Sequence, residues 1–307
     1  MDASEHTGTA GAGFSGAVGL VLARPARLLG IEPFFMEFIA GIEERLAERG
    51  LSLLLHVVAD QEAEIAAYRR WAERGLVEAV VVVNRTVDDR RLPVLRELGL
   101  PAVLAGAGSD APGGGAAEGG DGGTPMPAVR TDDAGPVREA LAHLLDLGHR
   151  RIARVSGPAG LLHTRARTEA LVEGCREAGV EPVVVEGDYS DESGARLTAE
   201  LLRRPEPPTA ILYDNDVMAV AGLGAAKEMG VAVPERLSLI AWDDSTMCRL
   251  ASPPLTTMSV DVHQYGVLVA ESVLELVDGL PVAERWSPTA RCVPRGSTAR
   301  CAVHSTA

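Results

Sequence analysis

One phrase recurs through this chain and narrows its fold more than any other feature. It is a helical pattern, a glycine just past its end, and then a short strand that is apolar throughout. Gly50 precedes LSLLLHVV, Gly75 precedes EAVVVV, Gly99 precedes PAVLA, Gly148 precedes RIARV, Gly179 precedes EPVVVE, and Gly230 precedes an apolar strand at 237–242. A glycine after a helix enters the left-handed conformation without a Cβ penalty. A strand apolar at every position is buried on both faces. Repeated, such units build parallel sheets covered by helices and joined by right-handed crossovers. The helix expected over 33–49 carries Phe35, Phe38, Ile39, Ile42 and Leu46 on one face, at the spacing of a buried stripe. The expected fold class is therefore α/β, and 307 residues suffice for about two domains.

Composition excludes several functions. The formal net charge of −14 opposes non-specific binding to nucleic acid or to an anionic membrane. No apolar run approaches the length of a membrane-spanning helix, and the first residues lack the pattern of a signal peptide. The expected location is cytoplasmic. Cys175, Cys248, Cys292 and Cys301 form no C-x-x-C pair and no zinc spacing, so reduced thiols and no metal are expected. Gly11, Gly13 and Gly16 match G-x-G-x-x-G, but the strand follows the glycines, and phosphate binding needs it before them. Residues 1–16 read as a disordered tail. The Gly/Ala-rich stretch 106–125 reads as a surface insertion or a lid.

Within this frame, 208–244 is the most informative stretch. A strand at 209–213 runs into Asp214-Asn215-Asp216, a helix follows over 217–229, and a second strand at 237–242 runs into Asp243-Asp244. Ligands of open parallel sheets bind at the carboxyl ends of strands. One of the first three polar residues is expected to cap the helix, leaving another for a ligand. No helix pattern starts at Asp243-Asp244, so capping explains that pair poorly. Asn84 ends another apolar strand and reads equally as a turn or a ligand amide. Asp132 and Asp133 open a helix, where capping competes with a site role. Arg165 and Arg167 are two apart, so one can face a ligand while the other faces solvent. Tyr189 is a platform or a half-buried loop residue. No nucleophile elbow, H-E-x-x-H or P-loop is present, and His163 stands alone. Catalytic residues are therefore not assigned, and an enzyme is not expected.

Several stretches, in order, resemble the effector-binding core of the lactose-repressor/galactose-repressor (LacI/GalR) class of transcription regulators. They are LLDLGHRRIARVSG, RARTEALVEGCREAGV, GDYSDESG, PTAILYDNDVMAVAGL, MGVAVPERLSLIAWDD, PPLTTMSVD and PRGST, spread over a likeness from about residue 17 to 298. The resemblance implies two similar subdomains with parallel sheets flanked by helices, of the type I periplasmic-binding-protein-like kind, joined by three crossovers. It assigns 17–149 plus 259–283 to the first, 150–258 plus 284–298 to the second, and 299–307 to a tail. It implies a sugar-like effector in the cleft, with Asn84, Arg167, Tyr189, Asn215 and Asp243 as contacts. Arg24, Phe35 and Asp132 join them, while Asp216 and Asp244 become caps or supports. It also implies a homodimer, no cofactor, and operator DNA reached only through a headpiece outside this chain. Ala241-Trp242 stands where the family has Gly and a smaller aromatic. Val260 and Val262 stand where some members place polar or aromatic contacts. The alternatives are a solute-binding protein, or an enzyme acting on a sugar or nucleotide.

Overall fold

A computed structural model of the chain describes residues 16–25, 33–107 and 126–301. The Gly-rich stretch, from residue 108 to 125, and nearly all of the expected amino-terminal tail lie outside the described residues. The first lobe begins with β1 (Ala17–Ala23), α1 (Pro33–Ala47), β2 (Ser52–Val58), α2 (Gln61–Arg74), β3 (Ala79–Val82), α3 (Arg91–Glu97), β4 (Ala102–Ala107) and β5 (Ala128–Arg130). The second contains α4 (Gly135–Asp146), β6 (Ile152–Ser156), α5 (Leu162–Glu177), β7 (Val183–Glu186), α6 (Asp191–Leu202), β8 (Ala210–Tyr213), α7 (Asp216–Glu228), β9 (Ser238–Trp242), α8 (Thr246–Leu250) and β10 (Thr256–Ser259). The chain returns to the first lobe for α9 (Val262–Val277) and β11 (Arg285–Trp286), then ends in the second with β12 (Arg291–Val293). It crosses between the sheets three times.

The two sheets repeat one topology. Their orders are β2-β1-β3-β4-β5-β11 and β7-β6-β8-β9-β10-β12. Strands pair in parallel throughout, except that β12 runs antiparallel to β10. The inner strands alternate their side chains between two cores. Val80 and Val82 pack under α2 and α3 with Trp71 and Leu95, while Ala79, Val81 and Val83 pack under α1 and α9 with Phe38 and Val269. In the second lobe Ala210 and Leu212 face α4 and α5, while Ile211 and Tyr213 face α6 and α7. Both faces of these inner strands are covered, which is why they read as unbroken apolar runs. The expectation for LSLLLHVV is corrected, because β2 lies at the sheet edge and leaves Leu54 and Leu55 exposed.

Helix ends follow the local sequence. Asp60 accepts from the Ala63 amide to start α2, and Gly75, at φ 59°, ends it by donating to the Ala72 and Trp71 carbonyls. Three expectations are corrected. Helix α4 belongs to the second lobe, not the first: Val137, Ala140, Leu141 and Leu144 share a core with Ile152 and Leu171. The first sheet already has helices on both faces, so this apolar stripe finds its partner beyond the crossover. Residues 285–286 add a strand to the first sheet, where Arg285 pairs with Val129, and do not join the second lobe. The expected tail is anchored at its start: the Ala299 carbonyl lies 3.1 Å from His149 Nε2, and the Cys301 amide donates to Leu147 O at 2.8 Å. Among the described residues no helix is long and apolar enough to cross a membrane.

Candidate functional site

The carboxyl ends of the two sheets face each other across a cleft with about 1110 Å³ of open space. In each sheet the strand order reverses direction at one place, between β1 and β3 and between β6 and β8. Crevices at such reversals are where open parallel sheets hold ligands. All eight residues singled out from the sequence, namely Arg24, Phe35, Asn84, Asp132, Arg167, Tyr189, Asn215 and Asp243, line this one cleft.

In the first lobe, Arg24 leaves β1 and lies 4.6 Å over the Phe35 ring. Asn84 follows β3 at φ 50°, a left-handed conformation. A buried network fixes it there. Arg91 donates to the carbonyls of Val83 (2.9 Å) and Asn84 (3.0 Å), and also pairs with Asp89 (2.5 Å) and Glu64 (3.0 Å). Burial pushes the Asp89 carboxyl upward, but its Arg91 bonds outweigh this and hold it below the usual range. Asp132 accepts from the amides of Ala134 (3.2 Å) and Gly135 (2.8 Å), so it serves as a cap as well as lining the cleft.

In the second lobe, Arg167 lines the cleft while Arg165 is exposed, which separates the two arginines as their spacing allowed. Arg167 pairs with Asp133 at 3.1 Å and stacks 3.9 Å from the Trp242 ring. Tyr189, at φ 69°, has its hydroxyl 2.8 Å from His163 Nε2. Burial, then the Arg167 charge, pushes the His163 imidazole down to about 4, and burial pushes the Tyr189 hydroxyl up to about 12. Both are therefore neutral near pH 7. Asn215 is the cap of α7: its Oδ1 accepts from the Met218 amide at 2.9 Å, and its Nδ2 donates to Tyr189 O at 3.0 Å. The expectation that Asp216 would cap is thus corrected, because Asn215 has the extended backbone that aims a side chain at the helix amides. One Nδ2 hydrogen of Asn215 remains for the cleft. Asp244 supports, pairing with Arg295 at 2.8 Å. A short helix, α8, does follow Asp243-Asp244, begun by Ser245 two residues past Asp243.

Asp214 was not separated from its neighbours by sequence alone. It is buried against Arg154, with contacts of 2.9 and 2.7 Å, and accepts from the Gly157 amide at 2.9 Å. Burial raises its pKa, but the Arg154 and Arg167 charges prevail and hold it below the ordinary carboxylate range. Arg154 is fully buried in the middle of β6. The signal was present in RIARV, because a charge inside an apolar strand requires a buried partner. Tyr265 of α9 also lines the cleft and was missed, since its register is that of a core residue.

Asp243 follows β9 at φ 65°. Of the four non-glycine residues with positive φ among those described, Asn84, Tyr189 and Asp243 line the cleft; Asp88 is the fourth. Backbone strain of this kind, about 1–3 kcal/mol per residue, persists only where surroundings enforce it and concentrates at binding sites. The Asp243 carboxyl is pushed up to about 8 by burial, then by the nearby Asp216 charge, against the pull of Arg167. Among the described residues no cluster of His, Cys, Asp and Glu could hold a metal ion, and the four cysteines are free thiols.

Comparison with known proteins agrees with this geometry. Residues 141–298 match the model of a periplasmic binding protein-like domain. The chain is 31% identical over 278 residues to the HTH-type transcriptional regulator AglR of Rhizobium meliloti, covering 86% of this chain and 73% of that protein. Among solved structures, a LacI family transcriptional regulator from Bifidobacterium animalis subsp. lactis superposes with a TM-score of 0.82 at 34% identity, covering 94% of this chain and all of the other. The transcriptional regulator CelR–cellobiose complex superposes with a TM-score of 0.79 at 27% identity, covering 92% of this chain and 84% of that one.

Proposed function

The chain belongs to the LacI family of transcriptional regulators, and on that premise we propose that its cleft binds a sugar-like effector whose occupancy is transmitted to a DNA-binding headpiece. One observation carries the effector class. Six of the chain's eleven aromatic residues (four Phe, four Tyr and three Trp in all) line the cleft between the lobes. Aromatic faces cover the apolar faces of a ring, and the polar strand ends beside them match its hydroxyl edge. Asn84 and Arg24 supply that edge from the first lobe, and Arg167, Asn215 and Asp243 from the second. Phe35 and Tyr189 supply faces, and Asp132 a carboxylate rim. Because both lobes contribute, a ligand binds best when they are closed, and shifts the population toward closure. The CelR structure, which holds cellobiose, supports a sugar as effector.

The chain acts as a homodimer in the cytoplasm and turns nothing over. Among the described residues no nucleophile is paired with a base in the cleft: His163, neutral, is bonded to Tyr189, and the hydroxyl of Ser287, which also lines the cleft, donates to the Pro288 carbonyl. The regulators among its relatives favour this reading over a transport protein. Calorimetry against cellobiose and a panel of mono- and disaccharides tests it. A saturable heat that weakens by about a hundredfold in Asp243→Ala is expected, the cost of a lost hydrogen bond to a charged or strongly polar group. If no sugar binds, or if Asp243→Ala binds as tightly as the parent, the reading fails.

A further inference from the structure

The cleft floor contains two carboxylates with no ion-pair partner among the described residues. Arg24, Arg85 and Arg167 line the cleft, against Asp132, Asp133, Asp214, Asp216 and Asp243. Most of the acids are already committed. Asp214 has Arg154, Asp133 has Arg167, and Asp132 has the amides that begin α4. Asp216 and Asp243 are left. Asp216 is only 2% exposed, yet its Oδ2 has no hydrogen-bond partner among the described residues. The Ser245 hydroxyl lies near enough to favour its charge without completing a bond to it. Its other oxygen accepts from the Val217 amide at 2.8 Å. The Asp243 carboxyl makes no hydrogen bond among the described residues, and its backbone is held left-handed.

Two carboxylates in one desolvated place repel, and the strain is relieved by a shared proton or by a cation. Asp216 and Asp243 follow the neighbouring strands β8 and β9 and line the same cleft, and the charges that act on Asp243 are those of Asp216, Asp214 and Arg167. Arg167 is already divided between Asp133 and the Trp242 ring. A neutral polyol supplies donors to this floor but no counter-charge. A protonated amine supplies both, and an ammonium offers three donors for the carboxylate oxygens left over. The aromatic walls then cover the ring that carries the amine.

From this geometry we infer that the effector is an amine-bearing sugar, whose ammonium sits between Asp216 and Asp243. The inference rests on the sugar reading above and narrows it. Asp216 thereby becomes a specificity-determining residue. In the complex both carboxylates are ionised, so a proton held by the pair in the empty cleft leaves to solvent as the ammonium enters.

Matched pairs test this: glucose with glucosamine, galactose with galactosamine, and cellobiose with its diamino analogue, titrated into the full chain at slightly acidic pH. For at least one pair the amine is expected to bind about tenfold tighter or better, as a charge-assisted bond exceeds a neutral one. Asp216→Asn and Asp243→Asn should each reduce that preference to about threefold or less. Calorimetry of the unaltered protein in two buffers of different ionisation enthalpy gives a reading independent of any variant. About one proton released per amine bound, and none per neutral sugar, is expected. If neutral sugars bind at least as tightly as their amino partners, or if amine binding releases no proton, the inference is overturned while the sugar reading stands. If no member of any pair binds, both fall together.

Discussion

Asp243 and His163 share one cleft, and burial drives both toward their neutral forms from opposite sides of neutrality. Asp243 is raised to about 8, while an unfolded aspartate titrates near 3.9. From about pH 4 to about pH 8 the folded chain therefore holds a proton that the unfolded chain has lost, and stability falls as pH rises. His163 is lowered to about 4, against about 6.5 unfolded, so its contribution falls as pH drops through that window. The two slopes oppose one another below about pH 6.5, and Asp243 acts alone above it. Thermal unfolding midpoints should therefore decline from about pH 6.5 to about 8, and Asp243→Asn should flatten that decline. An unchanged slope in the variant would show that Asp243 is ionised in the folded chain. A second residue-scale expectation concerns Arg154. Arg154→Met strands the buried Asp214 carboxylate and should cost about 3–5 kcal/mol in chemical denaturation. It should also disturb Gly157, which Asp214 holds.

Helices in each lobe pack closely through glycine. A Cβ on Gly41 of α1 would fall on the His263 carbonyl oxygen of α9, and one on Gly266 would fall on the Phe38 carbonyl oxygen. In the second lobe a Cβ on Gly194 of α6 would meet the backbone of Met218 in α7. These contacts are with backbone, which cannot rotate aside as a side chain does. Gly41→Ala, Gly266→Ala and Gly194→Ala are each expected to cost about 3 kcal/mol through overpacking. Gly224, on the same helix as Met218 but with open space around it, should accept Ala with no loss, because helix propensity favours it. Equal midpoints for Gly41→Ala and Gly224→Ala would refute the close crossing. The expected helices and strands match the observed ones within a few residues, because the glycine stops and apolar runs are local signals. The glycines inside helices gave no such signal: their meaning lies in what crosses them.

The lobes meet beyond their three connections. Leu162 N donates to Arg85 O at 2.9 Å, Val87 N donates to Gly160 O at 3.2 Å, and Thr86 and Leu161 form an antiparallel bridge. These bonds join the loop after β3 to the loop after β6, so they are expected to favour the closed arrangement of the lobes. Leu162 is the first residue of α5, and Leu161 before it is extended at φ −81°, ψ 135°. Both positions suit a Leu162→Pro change, which deletes the bridging donor without breaking the helix. Loss of one such bond, about 1 kcal/mol, should shift the open-to-closed ratio about fivefold. A larger radius of gyration in small-angle scattering, a weaker effector affinity and unchanged helical dichroism are expected. Unchanged scattering with a weakened affinity would place the effect in the pocket and not in closure.

The α/β fold class, the apolar strands and their polar ends were legible in the chain itself, whereas the two similar lobes and the cleft places of Arg24 and Phe35 came only through the family resemblance. Strand period, glycine position and strand-end polarity are set by covalent geometry and neighbours within a few residues. Which acid caps, which pairs and which is left over was not legible in Asp214-Asn215-Asp216. That depended on Arg154 arriving from β6 and on the extended backbone of Asn215, contacts made only when β6 and β8 lie side by side. The lobe that claims α4 and the sheet that claims residues 285–286 were likewise settled by which apolar faces remained uncovered after the local elements had formed. Local periodicity fixes an element, whereas its partner is fixed by competition among faces distant in sequence, and by the cost of burying a charge that finds no counterpart.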